Sequence, residues 1–150
     1  MDLSTLVARE HIRDLVVRYT HCADKGRFDE LVGLFTADGV LDLGEGRVLH
    51  GHDGLRAFLR GQQTDLTTRT GASLVRHHVA NHRIDVDSPD RARGVAYFFV
   101  VTDRGPDQWG QYRDVYARDG ERWQFAERRV QLEGYGPDSW VGARRRAGQQ

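Results

Sequence analysis

The stretch Arg76-His77-His78-Val79-Ala80-Asn81-His82 places three imidazoles and a carboxamide within seven residues, and Asp24 lies far upstream of it. Histidine titrates near neutrality. A carboxylate bound to one ring nitrogen leaves the other free to take a proton from carbon. An Asp24–His77 pair would therefore be a proton-abstracting base, provided the fold brings the two residues together. Asp24 falls in the last turn of a helical pattern, where the macrodipole disfavours an ionised acid. Such an acid suits the role of orienting partner to a histidine; the competing reading is that Asp24-Lys25-Gly26 is a solvated turn. Tyr19, on the apolar side of the same pattern, is a candidate donor to a developing oxyanion. It also reads as a core tyrosine with a satisfied hydroxyl.

If residues 73–87 form a strand, strict alternation sorts their side chains onto two faces. His77, Val79, Asn81 and Arg83 share one, and His78, Ala80, His82 and Ile84 share the other. That grouping puts a base candidate, His77, beside a neutral hydrogen-bonding group, Asn81. His78 and His82 are too far apart along an extended strand to hold one metal ion without a third ligand. His50 and His52 have no third ligand near them in sequence, so no metal site is expected. No glycine-rich phosphate loop follows a strand and no Gly-x-Ser-x-Gly elbow occurs. Tyr97, Phe98, Phe99, Tyr112 and Tyr116 supply aromatic surface to both faces of the later strands, enough for a core and an apolar small-molecule pocket.

The elements that must position these residues are legible from periodicity. Ile12, Leu15, Val16, Tyr19 and Ala23 form one stripe of an amphipathic helix over 4–24, with Ser4 as N-cap and Gly26 as stop. A short helix is predicted over 27–36, strands over 39–43 and 47–50, and a third helix over 52–63. After a polar loop (62–72) come long strands over 73–87, 92–103, 108–118 and 122–133, separated by turn signals. Early helices followed by hairpin-connected strands predict an α+β domain with a mostly antiparallel sheet. Residues 1–135 are read as one domain and 136–150, with Arg144-Arg145-Arg146, as a loosely ordered tail.

The 150 residues are 39% hydrophobic and 29% charged, a balance that suits one soluble globular domain. The 22 basic and 22 acidic residues cancel, and no basic strip is interleaved with aromatics, so neither nucleic acid nor a membrane surface is an expected partner. Cys22 is the single cysteine, which excludes an intrachain disulfide and suits a reducing compartment; it reads as a packed thiol. With no leader and no apolar run of spanning length, the expected location is cytoplasmic.

Several segments together resemble a known group. These are Tyr19-Thr-His-Cys-Ala-Asp24-Lys-Gly-Arg-Phe-Asp-Glu-Leu31, Leu34-Phe35-Thr-Ala-Asp38, Gly51-His-Asp-Gly54-Leu55-Arg-Ala-Phe58, His77-x-x-x-Asn81 and Asp119-Gly-Glu-Arg-Trp123-Gln-Phe125. The chain is similar over about 5–133 to the nuclear transport factor 2-like superfamily. Within it, the similarity is to the SnoaL-like branch that includes scytalone dehydratase, bile acid 7α-dehydratase and hexachlorocyclohexane dehydrochlorinase. The resemblance implies a cone of three helices on a strongly curved sheet enclosing a pocket. It implies a cofactor-independent lyase in which His77, oriented by Asp24, abstracts a carbon-bound proton from a small apolar or ring-bearing hydroxylated substrate. Tyr19 matches a position held by tyrosine in the bile acid enzyme and lysine in the dehydrochlorinase. Asp103, Tyr112 and Arg128 fall near further pocket positions, with His78 as the alternative base if the strand faces the other way. Scytalone dehydratase has a second histidine near position 103, where this chain has aspartate. Relatives in the superfamily also include isomerases, polyketide cyclases and non-catalytic assembly subunits, and a homo-oligomer, dimer or trimer, is expected by analogy.

Overall fold

The computed structural model describes residues 1–69, 74–139 and 141–142, with backbone alone over 63–69. Helix α1, Leu3–Asp24, buries Ile12, Leu15, Val16 and Tyr19, the stripe its periodicity predicts. Its N-cap is Asp2 rather than Ser4: Asp2 Oδ1 accepts from Thr5 N at 2.7 Å, and the Ser4 hydroxyl donates to the same carboxylate. A carboxylate outcompetes the hydroxyl here because it accepts both bonds and complements the positive helix end. The chain leaves α1 through Gly26, at φ +65, and Arg27 N bonds back to Cys22 O at 2.9 Å. Cys22 is buried, as expected of a packed thiol.

Helix α2 is shorter than predicted, Phe28–Val32, because Phe35 already begins strand β1, Phe35–Asp42. Strand β2, Val48–His50, leads into α3, Gly51–Arg69, which runs through most of the segment predicted as a polar loop. Polar composition by itself does not exclude a helix there. Residues 70–73 of that predicted loop lie outside the described residues. The long strands follow: β3 Val75–Ser88, β4 Arg91–Thr102, β5 Gly105–Asp119 and β6 Arg122–Tyr135.

All six strands form one curved, unclosed sheet in the order β2-β1-β6-β5-β4-β3, antiparallel except for β1 against β6. The α+β architecture is the predicted one. The main core joins α1 and α2 to the inner face of the sheet through Ile12, Leu31, Val32, Phe35, Tyr116 and Phe125. A second apolar cluster, Phe98, Val100 and Tyr112 with Val75, Val79, Val130 and Leu132, occupies the other end of the inner face. Among the described residues no helix is long and apolar enough to cross a membrane.

One irregularity reorganises β3. Ala80 pairs with Tyr97 and Arg83 with Val95, so Asn81 and His82 together oppose Ala96. This is a β-bulge. Asn81 takes it up with φ +52, in the left-handed region asparagine tolerates better than most residues. Beyond it the alternation is inverted.

The start of the segment predicted as a tail is hydrogen-bonded to β5. Gly136 N bonds to Asp107 O at 2.8 Å, and buried Ser139 donates to Asp107 Oδ2 at 3.1 Å while accepting from Val141 N and Gly142 N. Residues 143–150, including Arg144-Arg145-Arg146, lie outside the described residues.

Candidate active site

The end of α1 and the start of β3 pack together, and this brings Asp24 to His77. Asp24 Oδ1 lies 2.6 Å from His77 Nδ1. The same carboxylate accepts the His77 backbone N–H, at 3.1 Å to Oδ1 and 3.2 Å to Oδ2. One residue thus supplies both donors that offset the unfavourable helix-end placement of the acid. The Asp24 side chain is 9% exposed and that of His77 19%. An Nδ1–H held by a carboxylate leaves Nε2 as the basic nitrogen. His77 pairs across the sheet with Val100, within the second apolar cluster.

Tyr19 is one turn deeper on the same helix. Its ring meets Phe35, Phe125 and Tyr112 edge-on at centroid separations of 6.2, 5.6 and 6.3 Å. Burial pushes the Tyr19 phenol above its ordinary range, with Arg128 pulling it back, so at neutral pH it is a protonated donor. Tyr112 is stacked on Phe98 at 4.5 Å, and its phenol is likewise raised by burial.

Arg128 is fully buried, and its guanidinium carbon lies 4.2, 4.1 and 4.3 Å from the ring centroids of Tyr19, Tyr112 and Phe125. Asp114 neutralises it side-on: Nε donates to Oδ1 at 2.9 Å and Nη2 to Oδ2 at 2.7 Å. Burial would lower the arginine's pKa, but the Asp114 carboxylate, together with Tyr19 and Tyr112, more than reverses this and the group stays charged. Among the described residues Nη1 has no hydrogen-bond partner.

Other predicted site residues are placed differently. Because of the bulge Asn81 does not share the His77 face: it is exposed, and His82 turns inward in its place. His78 is exposed on the outer face, its ring 6.2 Å from that of Phe99, so it is His77 that faces inward. Asp103 is exposed in the turn between β4 and β5, away from the buried cluster. His52 lies 3.0 Å from the Phe35 carbonyl, a structural contact. Among the described residues no group of His, Cys, Asp or Glu is arranged to hold a metal ion.

Asp114 escaped the sequence reading, and Tyr116 was read only as aromatic surface. Asp114 and Tyr116 both sit on the inner face with Tyr112, and Tyr116 donates to Asp114 Oδ2 at 2.7 Å. The signal was available: an acid flanked at i ± 2 by tyrosines on a buried strand face needs a cationic partner.

A model of the SnoaL-like domain matches residues 4–129. The chain belongs to the SnoaL-like family. Similar solved structures include a scytalone dehydratase candidate from Novosphingobium aromaticivorans, 22% identical, with 91% of each chain covered and a TM-score of 0.78. LinA is 19% identical, with 91% of this chain and 92% of LinA covered and a TM-score of 0.77. The β subunit of a candidate aromatic-ring-hydroxylating dioxygenase from the same Novosphingobium is 16% identical, covering 91% of this SnoaL-like chain and 96% of its own, at a TM-score of 0.72. At these identities the likeness establishes the fold alone. A search of curated proteins gave no match.

Proposed function

We propose that this SnoaL-like protein is a cofactor-independent lyase that eliminates water from a small, ring-bearing β-hydroxy carbonyl compound. The observation that carries the reading is the 2.6 Å contact between Asp24 Oδ1 and His77 Nδ1. His77 Nε2 removes the proton from the carbon beside the carbonyl, and the C–H electron pair passes into the carbonyl to give an enolate. Tyr19, protonated and buried, and Arg128, with Nη1 unpartnered, are the donors proposed to stabilise that oxyanion. Collapse of the enolate expels hydroxide, which leaves as water with the proton returned by the His77 imidazolium. Base and donors are then restored. Such an elimination needs no metal when preorganised donors hold the oxyanion.

The apolar wall formed by Phe98, Val100 and Tyr112 supports a ring-bearing substrate. The likeness to a scytalone dehydratase candidate supports dehydration, and that to a dioxygenase β subunit keeps a non-catalytic assembly role as the alternative. The test is incubation with a panel of cyclic β-hydroxy ketones, followed by mass spectrometry. Loss of one water that depends on both Asp24 and His77 is expected. Rearrangement at constant mass would make the protein an isomerase using the same dyad. No conversion of any compound, with no ligand-induced shift of the His77 signals, would favour the assembly role.

A further inference from the structure

His82 has no part in the chemistry above, yet three separate features of the chain act to place it. The bulge turns it inward, at the cost of a left-handed φ at Asn81. Gly94 leaves it room: a Cβ there would lie 2.8 Å from the Tyr116 hydroxyl and 3.1 Å from His82 Nε2. Tyr116, fully buried, presents its hydroxyl 3.1 Å from His82 Nε2.

The direction of that bond follows from counting hydrogens. Tyrosine has one hydroxyl hydrogen, and it goes to Asp114 Oδ2. His82 Nε2–H must therefore donate to the Tyr116 oxygen. Asp114 Oδ2 also accepts from Arg128 Nη2, and Oδ1 accepts from Arg128 Nε. The chain of donors runs His82 to Tyr116 to Asp114, and Arg128 closes it with Nη1 left over. We propose that His82 is a positioning residue. By donating to Tyr116 it fixes the hydroxyl on Asp114, and so holds the Arg128 guanidinium with Nη1 free for a substrate oxygen. The use made of Nη1 rests on the elimination reading; the hold of His82 on Arg128 does not.

The surroundings of His82 favour its neutral form. Asp114 and Arg128 from the sheet and Arg13 and Arg9 from α1 act on it. Burial and the three arginines outweigh Asp114 and favour the neutral ring. A neutral imidazole has one N–H, and the Tyr116 oxygen is the acceptor within reach of Nε2.

The experiment is NMR of the full chain labelled with 15N-arginine, following the Arg128 Nε–H and Nη–H signals, assigned by their loss in Arg128→Lys. His82→Ala and Tyr116→Phe are expected to shift Nε–H and to average the Nη signals by freeing rotation. His82→Gln, whose carboxamide N–H has a similar reach, is expected to restore the wild-type pattern. Should His82→Ala fail to fold, His82→Asn replaces it, since its shorter carboxamide cannot reach Tyr116. Arg128 signals unmoved in folded His82→Ala (or His82→Asn) and Tyr116→Phe overturn the proposal, as does a shift that His82→Gln fails to reverse. A shifted Arg128 with turnover unchanged upholds the hold of His82 and overturns instead the part given to Arg128 in elimination.

Discussion

Asp114 grips Arg128 side-on through hydrogen bonds of 2.7 and 2.9 Å, and neither side chain reaches solvent. Such a pair is costly to bury and costlier to break, since removing one partner strands the other's charge. Arg128→Met and Asp114→Leu are each expected to destabilise the fold by about 3–5 kcal/mol. The double variant is expected to lose much less than the sum. Urea unfolding of the two single variants and the double variant measures this directly; additivity would show that the pair is not coupled.

The Asp24–His77 contact makes a spectroscopic prediction that needs no substrate. The Nδ1–H held by Asp24 at 2.6 Å should appear as a strongly downfield proton, absent in Asp24→Asn and His77→Ala. Once turnover is established, both variants should lose roughly a hundredfold to ten-thousandfold in rate, the range of a lost general base. Circular dichroism should show both folded. A downfield proton that persists in Asp24→Asn would assign the signal elsewhere.

The bulge in β3 has its own signature. Asn81 at φ +52 should accept glycine with little loss, whereas Asn81→Val should cost roughly 1 kcal/mol because a branched Cβ is strained there. Thermal melts of the two variants decide it. A valine variant as stable as the glycine one would mean that the left-handed geometry is not maintained.

His82 gives the fold a pH dependence whose sign can be worked out. Burial lowers its pKa in the folded chain below the ordinary 6.5, so the unfolded chain binds the proton more readily. The stability due to neutral His82 is complete above about pH 6.5 and declines as the pH falls toward the lower folded value. His82→Gln should flatten that part of the stability curve. The measurement is the urea midpoint from pH 7.5 to 5 in both proteins; parallel curves would assign the decline to other groups.

Periodicity and turn chemistry by themselves determined the order of helices and long strands, the α1 stripe and the α+β class. These depend on patterns repeated over many residues, and one missed cap or a helix longer by some residues leaves them intact. The pairing of Asp24 with His77 was readable only as a candidate, because nothing local joins a helix end to a distant strand. The packing of α1 on β3 made it a 2.6 Å contact. Which face Asn81 and the residues after it occupy was beyond the sequence altogether. A single inserted residue at Asn81 inverts every side chain after it, sending Asn81 outward and His82 inward, and strict alternation holds no trace of it. The opening strand residues His77 and Val79 obeyed the sequence pattern, whereas the second half of the stretch obeyed its partner strand. Gly94, bare beside the His82 ring, and the buried Asp114–Arg128 pair beneath Tyr19 exist as a unit only once β3 to β6 lie side by side.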